Sequence, residues 1–129
     1  DNMLLEINVD RTPDNIPVIR LKGEIDLHSC ESFRNKLRDL IAERNFNIVV
    51  DLAQVPYLDS AALGVLVDAV RRVNEVGGAI HLAATTPFVR RAFEITRLAK
   101  IFELDTSVDA ALEAVRAKPV ADGPEPVVA

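Results

Sequence analysis

Ile48-Val49-Val50-Asp51-Leu52 is apolar at every position but one. A strand with one wet face alternates apolar and polar side chains, whereas one covered on both faces stays apolar throughout. This run therefore predicts a central, doubly covered strand. Beyond it a loop, Ala53 to Asp59, leads into a helix whose apolar stripe is Leu63, Leu66, Val70 and Val73, with Asp68, Arg71, Arg72 and Glu75 in solvent. Gly77-Gly78 supplies the left-handed stop that helix C-termini favour. Ala79-Ile80-His81-Leu82-Ala83 reads as a short strand, and Thr86-Pro87 as an N-cap and first position of a helix running to about Leu98. Ile101-Phe102-Glu103-Leu104 predicts a last short strand, and Thr106-Ser107-Val108-Asp109 a capping signal for a helix containing Leu112 and Val115.

On the N-terminal side, Phe33, Leu37, Leu40 and Ile41 mark a helix from Ser29 to about Arg44. Leu5 to Asp10 alternates, and Val18 to Lys22 follows after the turn chemistry of Arg11-Thr12-Pro13-Asp14-Asn15, so the chain opens with an antiparallel hairpin ended by Gly23. The order is β-β-α-β-α-β-α-β-α. Alternating strands and helices require right-handed crossovers and a largely parallel sheet. The fold class is α/β, one domain over residues 3–118 with a mixed sheet. Pro119 to Ala129 carries three Pro and one Gly without a periodic apolar face and reads as a flexible tail.

Composition narrows the function. Fifteen Lys and Arg stand against 20 Asp and Glu, a formal charge of −5. Phosphate neutralisation supplies most nucleic-acid affinity, so this balance argues against DNA or RNA as a partner. Cys30 is the single cysteine, which forbids an internal disulfide and reads as a small buried residue near a helix start. No apolar run approaches the roughly 20 residues of a membrane span, and no signal-peptide order opens the chain. The expectation is a cytoplasmic domain without direct membrane insertion, and a monomer, since no coiled-coil repeat is present. Two His, one Tyr and no Trp argue against a metal centre, and no cofactor is expected. Gly77-Gly78 follows a helix and precedes a strand, the wrong order for a phosphate-cradling loop.

In open α/β sheets functional groups gather beyond the carboxyl ends of the strands. Two segments arrive there, Gly23-Glu24-Ile25-Asp26 and Tyr57-Leu58-Asp59-Ser60-Ala61-Ala62-Leu63-Gly64. Ser60, Ala61, Ala62 and Gly64 leave the first helical turn bare, as a closely approaching partner surface or a phosphate requires. Plainer readings stand beside this one. Ser60 caps the helix with its hydroxyl, Ala61, Ala62 and Gly64 allow tight packing, Asp26 marks a helix entry, and Asp59 is a solvated turn acid. Tyr57 and Phe88 either dock a partner or pack in the core. A serine hydrolase is the other class of reading, but Leu58 and Ala62 stand where a nucleophile elbow has glycine. His28 and His81 are not placed as a base for Ser60, and His81 reads as a satisfied sheet histidine.

Leu21-Lys22-Gly23-Glu24-Ile25-Asp26, Ile48-Val49-Val50-Asp51-Leu52 and Leu58-Asp59-Ser60-Ala61-Ala62-Leu63-Gly64 together resemble the STAS domain, and more narrowly the bacterial anti-sigma factor antagonists. The resemblance spans roughly Leu4 to Val115 in element order. It implies a non-enzymatic switch: the unmodified protein binds an anti-sigma factor that is also a serine kinase, and so frees the sigma factor. Phosphorylation of Ser60 ends that binding, and a PP2C-type phosphatase restores it. By the same resemblance Asp26 lies beside the phosphosite, and Tyr57, Asp59, Ala61 and Ala62 border the partner surface. A STAS subunit of a membrane transport assembly is the alternative within the family. Two positions depart from its pattern: Ala62 stands where a glycine is common, and so does Arg97.

Overall fold

The computed structural model describes residues 5–118. Met3, Leu4 and the expected tail from Pro119 lie outside the described residues. The elements are β1 (Glu6–Arg11), β2 (Pro17–Lys22), α1 (Cys30–Ala42), β3 (Asn47–Gln54), α2 (Ser60–Asn74), β4 (Ala79–Ala83), α3 (Pro87–Ile95), β5 (Glu103–Asp105) and α4 (Val108–Ala117), with a single 3-10 turn, Leu98–Lys100, after α3. The five strands form one sheet in chain order. β1 and β2 pair antiparallel, with Val9 opposite Ile19. β2, β3, β4 and β5 pair parallel, with Val18 beside Val49 and Val49 beside His81.

β3 is covered on both faces, as its apolar run predicts. Ile48, Val50 and Leu52 join the larger core with Phe33 and Leu37 of α1, Leu66 and Val70 of α2, and Val89 and Phe93 of α3. Val49 points the other way, into a smaller cluster with Val18, Ala83 and the α4 residues Ala111 and Leu112. Three helices therefore share one face of the sheet and α4 covers the other. Arg116 of α4 forks onto Asp14 of the hairpin turn at 2.8 and 2.9 Å. The guanidinium of Arg116 holds the Asp14 carboxyl well below the usual carboxylate range.

β3 runs on to Gln54, into the expected loop, and α1 stops at Ala42; two further boundaries differ for a visible reason. α3 ends at Ile95, short of Leu98, and Arg97 takes a left-handed conformation with φ 62°. An L side chain at such a φ crowds its own backbone at a cost of roughly 1–2 kcal/mol, which is why glycine suits the position. The last strand is displaced to Glu103–Asp105, because Phe102 turns into the core against Phe93 with ring centroids 5.3 Å apart.

The end of α2 follows the glycine reading, with the two glycines doing different jobs. Gly77 takes φ 83° at the left-handed position. The Gly78 amide donates to the Val73 carbonyl at 2.8 Å and the Gly77 amide to Asn74 at 3.1 Å, closing the paired bonds of a Schellman stop. Gly78 is required for space: a Cβ there would overlap the Phe46 backbone carbonyl. Gly64 is the opposite case, a helical glycine whose added Cβ would meet nothing within 4 Å. Gly78→Ala is expected to destabilise by about 3 kcal/mol and Gly64→Ala to stabilise by about 0.5–1 kcal/mol. Urea unfolding of the two variants checks the opposite signs.

Candidate functional site

β2 and β3 run parallel, so the loops after them leave the sheet side by side. The Gly23 amide donates to the Gln54 carbonyl at 3.0 Å, Ile25 to Tyr57 at 3.2 Å, and Asp59 to Ile25 at 3.1 Å. Ile25 and Leu58 form an isolated parallel bridge, and both are buried in the core. The two loops are thus zipped together before either enters its helix. Asp26 then organises the approach to α1: its Oδ1 accepts from the His28 amide at 2.9 Å and the Ser29 amide at 3.0 Å. The Ser29 hydroxyl lies 3.1 Å from the same oxygen and 2.9 Å from the Glu24 carbonyl. Hydrogen bonding from the Ser29 backbone, followed in weight by its side chain and the His28 amide, sets the Asp26 carboxyl below the ordinary Asp range.

Asp59 is the N-cap of α2, with extended φ and ψ of −111° and −174°. Its Oδ1 accepts from the Ala62 amide at 3.1 Å. Its Oδ2 accepts from the Leu27 amide, also at 3.1 Å. One carboxylate therefore closes the first turn of α2 and clamps the loop before α1. Asp59 is no solvated turn acid, and Ser60 is not the cap. Ser60 occupies the first helical position, exposed, its hydroxyl without a hydrogen bond among the described residues.

Ala61 is half-buried and Gly64 exposed, but Ala62 is 0% exposed and packs in the core. The expectation that Ala62 borders a partner surface is corrected: helical spacing turns its methyl toward the sheet. The Ala62 methyl is accommodated by the core. Tyr57 is exposed and its ring lies over Phe88, centroids 5.3 Å apart and planes tilted by 35°. Phe88 is itself exposed, so this pair is a surface feature and no part of the core. Thr86, at the N-cap of α3, gives its hydroxyl to the Val55 carbonyl at 2.8 Å and ties the start of α3 to the loop before α2.

The sequence reading missed Leu27. This residue is 69% exposed, and its amide sits on the Asp59 carboxylate. An apolar side chain in the otherwise polar Asp26-to-Ser29 turn is the signal that marks it. Exposed Leu27, Tyr57 and Phe88 thus accompany a free hydroxyl and the acids Glu24, Asp26 and Asp59 at one edge of the sheet.

His81 belongs to β4 and not to these loops. Its ring is fully buried within β4, with Nδ1 3.0 Å from Asp105 Oδ2 and Nε2 unpartnered among the described residues. The histidine is therefore half satisfied. Among the described residues no group of three or more His, Cys, Asp or Glu is placed to hold a metal, and no helix is long and apolar enough to cross a membrane.

Comparison with known proteins returns the same fold. The family description of the STAS domain matches residues 7–111. The anti-sigma-B factor antagonist of Bacillus subtilis is 32% identical over 110 residues, covering 84% of this chain and all of that one. The crystal structure of an anti-sigma factor antagonist from Mycobacterium paratuberculosis superposes with a TM-score of 0.79 at 28% identity, over 87% of this chain and 94% of that one. The anti-sigma factor antagonist SpoIIAA in its unphosphorylated form is similar with a TM-score of 0.76 at 25% identity, covering 89% of this chain and 100% of its own. The phosphorylated form of the Bacillus protein SpoIIAA gives 0.70 at 25% identity, covering 86% and 100%.

Two tests follow from the carboxylates. Asp59→Ala removes the cap and the clamp together and is expected to cost about 1–2 kcal/mol in urea unfolding, with faster hydrogen exchange at the Leu27 and Ala62 amides. Asp26 has a folded-state pKa below its unfolded one, so its stabilisation is present above the unfolded pKa and disappears as pH falls through the folded value. Asp26→Asn is therefore expected to lose less stability than the wild type between about pH 5 and pH 2.5, read from unfolding midpoints across that range.

Proposed function

The chain belongs to the STAS domain family, and from that footing we propose that it is an anti-sigma factor antagonist switched by phosphorylation of Ser60. The unmodified protein docks an anti-sigma factor with serine kinase activity through the edge that carries Leu27, Tyr57 and Ser60, and the sigma factor is released. The kinase then phosphorylates Ser60 and loses its hold, and a PP2C-type phosphatase returns the chain to its binding form. The protein acts as a ligand and substrate of these enzymes and performs no chemistry of its own. The curated relatives named anti-sigma factor antagonists, and SpoIIAA in unphosphorylated and phosphorylated forms, support the reading.

The observation that carries it is the division of labour between Asp59 and Ser60. Asp59 caps α2, so the Ser60 hydroxyl is exposed on a fixed backbone and free to be modified. A phosphate adds about −1.5 to −2 charge and three acceptor oxygens. At the first position of α2 it meets the positive end of the helix dipole, and the Ser60 and Ala61 amides have no partner among the described residues. The domain tolerates the anion. A partner fitted closely to the bare turn does not, because the added charge and bulk stand directly in the contact, with Asp26 and Asp59 nearby.

Incubation with the anti-sigma factor kinase of the source organism and ATP is expected to add one phosphate, mapped to Ser60 by mass spectrometry and removed by a PP2C-type phosphatase. Ser60→Ala is expected to bind the kinase undiminished through repeated ATP additions, and Ser60→Asp to bind at least about tenfold more weakly. A phosphorylated chain that binds as tightly as the unmodified one sinks the proposal, as does a chain left unmodified at Ser60.

A further inference from the structure

α3 and the 3-10 turn after it have a composition unlike the rest of the chain. Between Pro87 and Ile101 stand four basic residues, Arg90, Arg91, Arg97 and Lys100, against the single acid Glu94, in a protein of net charge −5. Arg90 is paired with Glu94 at 3.3 Å, whereas Arg91, Arg97 and Lys100 are exposed and form no ion pair among the described residues. Apolar side chains lie among them. Phe88 is 54% exposed and Ile95 66%, and their spacing of seven places both on one line of the helix, with Arg91 beside it. Ile101, after the 3-10 turn, is exposed as well.

Arg97 adds an independent observation. It holds a left-handed backbone, φ 62°, that suits glycine, yet its side chain makes no hydrogen bond or ion pair among the described residues. The left-handed backbone serves the turn that ends α3, with the Arg97 amide on the Glu94 carbonyl at 3.2 Å, and leaves the exposed guanidinium open to a partner outside the domain. The surface also continues from the one already described: the Phe88 ring lies over Tyr57, three residues before Ser60.

We propose that the exposed side of α3 and its following turn, Phe88, Arg91, Ile95, Arg97, Lys100 and Ile101, is a second half of the docking surface and takes an acidic protein surface with an apolar centre. The inference rests on the proposed function and names the chemistry of the partner: its acidic residues face Arg91, Arg97 and Lys100 while its apolar centre covers Ile95 and Ile101. Basic and apolar groups exposed side by side suit an acidic protein contact, and nucleic acid is disfavoured by the overall negative charge.

The test uses the full chain and the anti-sigma factor kinase that it binds. Arg91→Glu/Arg97→Glu/Lys100→Glu, whose side chains are all exposed, is expected to melt close to the wild type and to bind at least about tenfold more weakly at 50 mM salt, with the gap narrowing toward 300 mM. Arg97→Gly separates strain from contact: it is expected to raise the melting temperature and to weaken binding a few-fold. If both variants bind as the wild type does while Ser60→Asp still loses the kinase, the second surface is overturned and the switch stands. If the wild type binds no anti-sigma factor, both fall. Cosedimentation with vesicles of phosphatidylcholine and phosphatidylserine that depends on the three basic residues assigns the patch to a membrane and overturns the protein contact.

Discussion

Two amides from different elements, Ala62 in the first turn of α2 and Leu27 in the loop before α1, converge on the two oxygens of the Asp59 carboxylate, and the proposed docking edge depends on that arrangement. A serine cap has one oxygen and closes one helix. An aspartate cap can close a helix with one oxygen and hold a neighbouring loop with the other. Because the acid takes both tasks, the next residue is released from either. Ser60 then begins α2 with its backbone fixed and its hydroxyl in solvent, the condition under which a kinase and a partner can both reach it. The Leu27 side chain is presented by the same clamp, so the Ser60 hydroxyl and its apolar neighbour are held in one frame.

The sheet order explains why three loops meet there. From β2 onward the parallel strands lie in chain order, each joined to the next by a crossover of one hand, which keeps α1, α2 and α3 on a single face and brings their N-termini to one edge. Leu27, Ser60 and Phe88 each stand at or just before such a start. The Ile25 to Tyr57 and Asp59 bonds join the first two loops, and the Thr86 hydroxyl on the Val55 carbonyl joins the third. α4 covers the opposite face, where it packs on Val49 and Ala83 and takes no part in the edge.

The architecture was legible because side-chain periodicity is local. The apolar run Ile48 to Leu52 reports burial on both faces wherever it sits, and the alternation of strands with helices then leaves few topologies. The cap was not legible, since Asp59 and Ser60 are adjacent and both are cap-forming types. Which one caps is decided by the phase of α2, fixed by Ala62, Leu66, Ala69 and Val73 against the sheet. Ala62 was misplaced for a related reason: alanine adds little to an apolar stripe and reads as a bare surface, although it continues the buried line of Leu66 and Ala69. The αL position at Arg97 escaped because it depends on where Phe93 and Phe102 pack, a contact made across the core. The resemblance to its family carries the role proposed for Ser60 where spacing alone favours a structural one.

A phosphate on Ser60 alters the surface and leaves the fold its reasons to persist. The anion sits at a helix N-terminus, where free amides and the dipole favour negative charge, and the core beneath Ala62 is untouched. The effect is therefore felt on the partner's side of the contact. Charge sign then links the two halves of the proposed surface. An acidic partner is drawn to Arg91, Arg97 and Lys100 and is repelled by a phosphoserine at the start of α2. The Debye length of about 8–10 Å at moderate salt keeps each effect local, so attraction at α3 need not cancel repulsion at α2. One kind of partner charge can thus give both capture before modification and release after it. The overall −5 of the chain adds to the second effect without weakening the first at contact range.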